Sequence, residues 1–174
     1  MKGRYMLSAM LVAGLAVGAA LTAGPSYAEQ TTKDQLIGSW KVVRLTATSG
    51  DKVSYPLGER ATGYVTITPT RIWLLFFDAN RKTPAAAALT DAEAVGQMKT
   101  QVAWTGQYKT VEQTSEGIKL TAHVDAASSQ AIFGMDRVYF IRVDGSKMTF
   151  KSPGVIIPMT GAKSVVEFDM VKSD

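Results

Sequence analysis

The chain has 174 residues, a formal net charge of +4 and no cysteine. The lack of cysteine excludes a disulfide framework, a thiolate nucleophile and any cysteine-based metal site. Two of the positive charges, Lys2 and Arg4, belong to a segment that we expect to be removed, which lowers the net charge from +4 to about +2. A charge this small does not favour nucleic acid as a partner.

Residues 1–28 have the organisation of a secretory signal peptide. A basic start is followed by an uncharged apolar run over residues 6–21 and a small-residue cleavage site ending at Ala28. The run is shorter than the roughly twenty residues that span a bilayer, so a retained membrane anchor is the weaker alternative. We expect a periplasmic or secreted protein in which residues 29–174 form one soluble domain without a membrane anchor.

The first predicted strand, residues 37–47, begins with Gly38-Ser39-Trp40. Glycine allows the chain to pass close to a neighbour, and strand alternation then turns the indole inward, where it can plug one end of a small barrel. We therefore assign structural roles to Gly38 and Trp40. In a regular strand, Trp40 and Arg44 share one face and Leu45 lies on the other.

Turn signals rich in Pro and Gly divide the rest of the chain into further short strands. The predicted strands cover residues 61–68, 71–77, 104–113, 118–125, 137–143, 147–152 and 164–172. Eight antiparallel strands favour closure, because a closed sheet has no unpaired edges and an eight-stranded barrel can hold one small ligand. The expected fold is all-β, a closed eight-stranded antiparallel up-and-down barrel. Charged residues along the predicted walls argue against an outer-membrane barrel.

One helix is expected between the third and fourth strands. Thr90 and Glu93 have the spacing of a capping box, and helical composition continues from Asp91 to about Val102. One stripe of this segment is apolar. Its members are Ala94, Val95, Met98 and Val102. We expect an amphipathic helix that lies across one end of the barrel.

Several short motifs follow one another in an order that covers nearly the whole mature chain. They are Gly38-x-Trp40, Tyr55-Pro56-Leu57-Gly58 with Ala61-Thr62-Gly63, Thr90-Asp91-Ala92-Glu93, Trp104-Thr105-Gly106-Gln107-Tyr108, His123-Val124 and Asp144-Gly145-Ser146-Lys147-Met148. This order is similar to that of the bacterial and fungal lipocalin-like domain proteins. The resemblance implies a calycin-type barrel with an internal pocket for a small, mostly apolar molecule.

The end of the chain departs from the lipocalin pattern. Lipocalins usually place a basic residue there to pack over the indole of the first strand, whereas this chain reads Phe168-Asp169-Met170. Three alternatives remain for the contact with Trp40. Met170 packs there through its thioether, or Arg44 or Lys172 takes the role.

The candidate ligand-binding residues are mostly aromatic side chains of the predicted strands. They are Tyr64, Trp73, Phe76, Trp104, Tyr108, His123, Arg137 and Tyr139. Arg137 and Tyr139 share one strand face. An inward Arg137 requires either a partner, for which Glu167 is the candidate, or an anionic ligand group, because burying an unpaired charge is costly. The alternative is an exposed Arg137 at the start of its strand.

His123 is the only histidine and lies on a predicted strand with one polar and one apolar face. If the apolar face points inward, His123 is a surface residue; if the polar face does, it points into the pocket. No Ser-His-Asp order, phosphate loop or metal-ligand spacing is present, so neither a metal nor a cofactor is expected.

These observations predict a protein that binds a small hydrophobic molecule inside the barrel. An isomerase or cyclase acting in the same cavity is the second hypothesis, with His123, Tyr108 and Glu167 as candidate catalytic residues. A structural or partner-binding barrel filled by its own side chains is the third.

Overall fold

The computed structural model describes residues 32–157 and 161–173; the predicted signal peptide lies outside them. Besides a short helical segment over residues 32–34, the described part of the chain forms nine strands and the helix α1. These are β1 (Gly38–Ser49), β2 (Lys52–Ser54), β3 (Ala61–Ile67), β4 (Arg71–Asp78), α1 (Asp91–Lys99), β5 (Gln101–Thr114), β6 (Gly117–Ala127), β7 (Asp136–Asp144), β8 (Lys147–Ile156) and β9 (Lys163–Lys172).

The sheet is closed and entirely antiparallel. From β3 to β9 each strand pairs with the next one in the chain, while β1 pairs with β3 on one side and with β9 on the other. This confirms the predicted eight-stranded up-and-down barrel. The short β2 adds a ninth strand that pairs only with the end of β1, so the helix follows β4 rather than a third strand.

The floor of the barrel is formed by Trp40, whose side chain is 1% exposed. Its indole nitrogen donates a hydrogen bond to the carbonyl of Leu36 at 2.9 Å. The ammonium of Lys172 lies 5.6 Å from the centre of the indole ring, a cation–π contact. Gly38 has a φ of +133°, and a Cβ at this position would lie 3.4 Å from Cε of Lys172. This position therefore requires glycine because of its backbone conformation and not for lack of space.

Of the three residues considered for the contact with Trp40, the structure selects Lys172. Met170 is buried in the core opposite Val42. Arg44 lies on the outer wall, where its Nε donates a hydrogen bond to Asp169 at 2.6 Å. Trp40 and Lys172 are paired across the seam between β1 and β9, so strand pairing itself places the basic residue over the indole.

A β-bulge in β1 changes which residues face inward. The pairing of β1 with β9 shifts between Val42 and Arg44. Arg44 therefore lies outside, while Leu45 and Ala47 are buried, contrary to the alternation expected for a regular strand. An inserted residue reverses the inward and outward positions that follow it.

Helix α1 begins as predicted but ends earlier and packs differently. The hydroxyl of Thr90 accepts from the Glu93 amide, and the Glu93 carboxylate accepts from the Thr90 amide. The chain leaves the helix at Thr100, whose carbonyl accepts from the Asp78 amide at 3.0 Å and so joins β5 to the end of β4. Val102 is consequently in β5, and no residue of α1 is buried.

Gly63→Ala is expected to destabilise the barrel strongly. Gly63 has a φ of +140°, and an added Cβ would lie 1.9 Å from the carbonyl oxygen of Leu75 on the paired strand β4. The substitution must separate two backbones, so we expect a loss above about 2 kcal/mol in urea unfolding. Gly50→Ala is the control, since Gly50 also has a positive φ but nothing lies within 4 Å of its Cβ position. Equal losses for both variants would contradict this interpretation.

Candidate ligand cavity

An apolar cavity lies at the end of the barrel opposite Trp40. It is formed where β1, β4 and β8 end and where β5, β7 and β9 begin. The side chains around it are Leu45, Pro56, Leu57, Leu74, Phe76, Val102, Trp104, Arg137, Tyr139, Ser152, Val155, Ile156, Ile157, Val166 and Phe168. Strands far apart in the sequence supply this lining, so no local sequence motif predicts it.

The cavity is narrow. Its enclosed volume is about 60 Å³, enough for only a few water molecules, since each needs about 10–15 Å³. Towards the floor the interior is filled by aromatic rings, with Tyr139 and Phe150 centred 5.4 Å apart. A slender molecule therefore fits better than a broad one.

Three side chains bring polar groups to this apolar lining. The Ser152 hydroxyl donates a hydrogen bond to the Val138 carbonyl at 3.4 Å. Tyr139 is fully buried and stacks on Trp104 with ring centres 6.0 Å apart. Burial raises the pKa of Tyr139, while the charge of Arg137 and a hydrogen bond with it act in the opposite direction. The phenol is therefore neutral and available as a hydrogen-bond donor.

Arg137 is the charged residue of the cavity wall. It is half-buried, and its Nε is buried without a hydrogen-bond partner. Among the described residues, no carboxylate lies within salt-bridge distance of its guanidinium group. The expected partner, Glu167, faces outward and lies 3.8 Å from Arg44. Of the two alternatives left open for Arg137, the structure has the inward one, and the pairing with Glu167 does not occur.

The aromatic candidates divide between the two faces of the sheet. Phe76 and Trp104 line the cavity, and Phe76 contacts Phe168 with ring centres 4.9 Å apart. Tyr64 and Trp73 lie on the outer wall, 46% and 51% exposed, and do not reach the cavity. Their orientation corrects the expectation from sequence. Because β4 is apolar on both faces, its pattern could not tell which face points inward.

His123 also lies on the outer wall. The apolar residues of β6 fill the interior, and the Nδ1 atom of His123 lies 2.9 Å from a carboxylate oxygen of Asp136. Lys109 binds the other oxygen of this carboxylate at 2.7 Å. These hydrogen bonds, from Lys109 first and then from His123, lower the pKa of Asp136. Of the two orientations considered, the structure therefore has the surface one.

Tyr108 is bound to the barrel rather than available to a ligand. Its hydroxyl lies within hydrogen-bond distance of the carbonyls of Thr68 and Arg71, at 3.0 and 3.1 Å. These two residues flank the turn between β3 and β4. Burial raises the pKa of Tyr108 above its ordinary value of 10. The side chain therefore stabilises this turn by hydrogen bonding to its backbone.

The cavity also contains residues that the sequence analysis did not single out, among them Leu45, Leu57 and Phe168. The bulge in β1 hid Leu45, because a regular alternation puts it outside. Leu57 is part of the Tyr55-Pro56-Leu57-Gly58 turn, and its burial to 1% exposure was not evident from its position in a loop. Alternation along β9 would have identified Phe168, since every second residue there is buried.

Tyr108→Phe is expected to lower stability by about 0.5–1.5 kcal/mol at neutral pH, through loss of one hydrogen bond. Since the folded-state pKa of Tyr108 is raised, this residue contributes stability below about pH 10 that is lost as the pH rises further. Between about pH 9 and about pH 11, the free energy of unfolding of Tyr108→Phe should therefore fall less steeply than that of wild type. The difference should be at most about 1.4 kcal/mol per pH unit, measured by thermal unfolding. Identical slopes for wild type and variant would refute this role. Tyr64→Phe, on the outer wall, should stay within about 0.5 kcal/mol at neutral pH.

Within the described ranges, no helix is both long and apolar enough to cross a membrane. The same residues contain no group of three or more His, Asp or Glu side chains placed to hold a metal ion.

Comparison with known proteins agrees with this architecture. A family model described as a lipocalin-like domain matches residues 37–167. Neither the curated proteins nor the solved structures gave a match. The matched range starts one residue before Gly38 and ends within β9, so it covers β1 and the first half of β9. The chain therefore belongs to the lipocalin-like domain family.

Proposed function

We propose that this protein binds a small, slender hydrophobic molecule in the barrel cavity and acts as its carrier or sequestering protein. The observation that carries the proposal is the cavity itself, an apolar space open at one end of a barrel that is otherwise filled. Leu45, Phe76 and Phe168 form its apolar wall. Ligand sites of proteins are typically such concave, apolar spaces with a few polar groups.

The mouth of the cavity supports this proposal. Pro56, Leu57 and the residues from Val155 to Ile157 belong to the lining at this end of the barrel. Ile156 is 63% exposed, so apolar surface continues from the cavity to the solvent. An apolar molecule can enter along this surface without displacing the packed floor around Trp40.

No specific observation favours the enzyme hypothesis. Of the three candidate catalytic residues, His123 and Glu167 lie on the outer wall, and the hydroxyl of Tyr108 is bound to backbone carbonyls. A general acid or base must reach the proton that it transfers, and these side chains do not reach the cavity. A completely filled barrel also fits less well, because the cavity remains open.

Binding should be visible in the fluorescence of one tryptophan. Trp104 lines the cavity, whereas Trp40 is sealed in the floor and Trp73 lies on the outer wall. Unbranched apolar molecules, from alcohols to fatty acids, should quench the emission and raise the melting temperature by several degrees at saturation. Trp73→Phe should retain the quenching, and Trp104→Phe should lose most of it.

Two outcomes would count against the cavity as the binding site. One is the absence of both quenching and thermal shift across a panel of fatty acids, alcohols, terpenoids and small aromatic compounds. The other is quenching that is lost with Trp73→Phe and kept with Trp104→Phe, which would place the ligand on the outer wall.

The proposed carrier acts outside the cytoplasm, since residues 1–28 have the pattern of a signal peptide. Expression of the full chain in bacteria should yield a periplasmic or secreted product. Mass spectrometry of that product should give an N-terminus at Glu29. Recovery of the unprocessed chain from the cytoplasm alone would contradict export.

A further inference from the structure

We infer that the ligand of this cavity carries a single negative charge, in the form of a carboxylate, which Arg137 binds. The inference rests on the proposed function, because it names the chemical class of the molecule that the cavity holds. It predicts a carboxylic acid with a slender apolar tail rather than a neutral hydrocarbon, alcohol or sterol.

The first argument is the Nε atom of Arg137, a buried donor without a hydrogen-bond partner. A buried charge or hydrogen-bond donor without a partner costs free energy, and such groups are rare in folded proteins unless they serve a ligand. The Nε of Arg137 is such a donor. On the outer wall, by contrast, Arg44, Arg71 and Lys109 each contact a carboxylate at 2.6–2.7 Å. The sequence thus supplies acidic partners outside the barrel, and among the described residues none for Arg137.

The second argument is chemical complementarity. A guanidinium presents its N–H groups in a planar fork that matches the two oxygens of a carboxylate. The neutral phenol of Tyr139 belongs to the same wall and is a further hydrogen-bond donor. Among the described residues no second cation lines this wall, so a monoanion is balanced whereas a phosphate dianion is not.

The third argument is the position of Arg137 in the cavity. It is the first inward residue of β7, followed deeper in the barrel by Tyr139 and Ile141. A carboxylate at Arg137 therefore lies near the mouth. Its tail is directed towards Leu74 and Phe168, which come from the middle of their strands. The narrow space accepts an unbranched chain more readily than a fused ring system.

The test compares three probes with the same ten-carbon tail, decanoate, decan-1-ol and decylammonium, by calorimetry at neutral pH. Wild type should bind decanoate about tenfold or more tightly than decanol, and decylammonium most weakly. In Arg137→Met the preference for decanoate over decanol should disappear, while decanol binding is retained. Arg44→Met removes an outer-wall arginine and should leave the preference unchanged.

The outcomes separate this inference from the proposed function. If decanol binds wild type as tightly as decanoate, or if Arg137→Met keeps the preference, the inference is wrong and the apolar binding site stands. If none of the probes binds and the wider ligand panel also fails, the proposed function is wrong and the inference falls with it.

Two further measurements guard against a purely structural role of Arg137. Unliganded Arg137→Met should be at least as stable as wild type, because it removes an unpaired buried donor; marked destabilisation would overturn the inference. In wild type, the affinity for decanoate should fall about tenfold or more as the pH drops below the pKa of the ligand's carboxyl group, about 4.5. The affinity for decanol should not change over this pH range. Equal pH profiles for the two probes would also overturn it.

Discussion

The pairing of β1 with β9 is the constraint on which the rest of the structure depends. It runs from Trp40 opposite Lys172 to Thr48 opposite Val165 and joins the two ends of the sheet. Closure satisfies the backbone groups of both edges, which would otherwise be exposed to other chains. It also builds both ends of the interior, since it places Lys172 over the indole and Leu45 opposite Phe168 in the cavity wall.

The bulge in β1 allows one strand to serve both ends of the barrel. Before the bulge, Trp40 and Val42 point inward and fill the floor; after it, Leu45 points inward and lines the cavity. Arg44 is turned outward, where it pairs with Asp169. A regular strand would have buried the charge of Arg44 in the core, at a cost that its pairing on the surface avoids.

The distribution of charge gives the cavity its chemical character. On the outer wall, Arg44, Arg71 and Lys109 have carboxylate neighbours, and these exposed pairs contribute little to stability while keeping the surface polar. Arg137 is held in an apolar wall beside Tyr139. Burying this charge in an apolar wall costs free energy, which a bound anion can offset. In the proposed complex, apolar burial would provide affinity and the single charge would provide selectivity.

Turn residues and alternation in the sequence determined the eight strands of the barrel, the inward Trp40 and the capping box at Thr90, because each rests on a local pattern; the short β2 was missed. Only the tertiary structure decided which face of β4 and β6 is inward, and so that Trp73 and His123 lie outside. Alternation defines two faces of a strand but does not say which one meets the core, and a bulge reverses their order. The sequence likewise could not show that Arg137 has no carboxylate partner among the described residues, because charge pairs form between strands that are far apart in the chain.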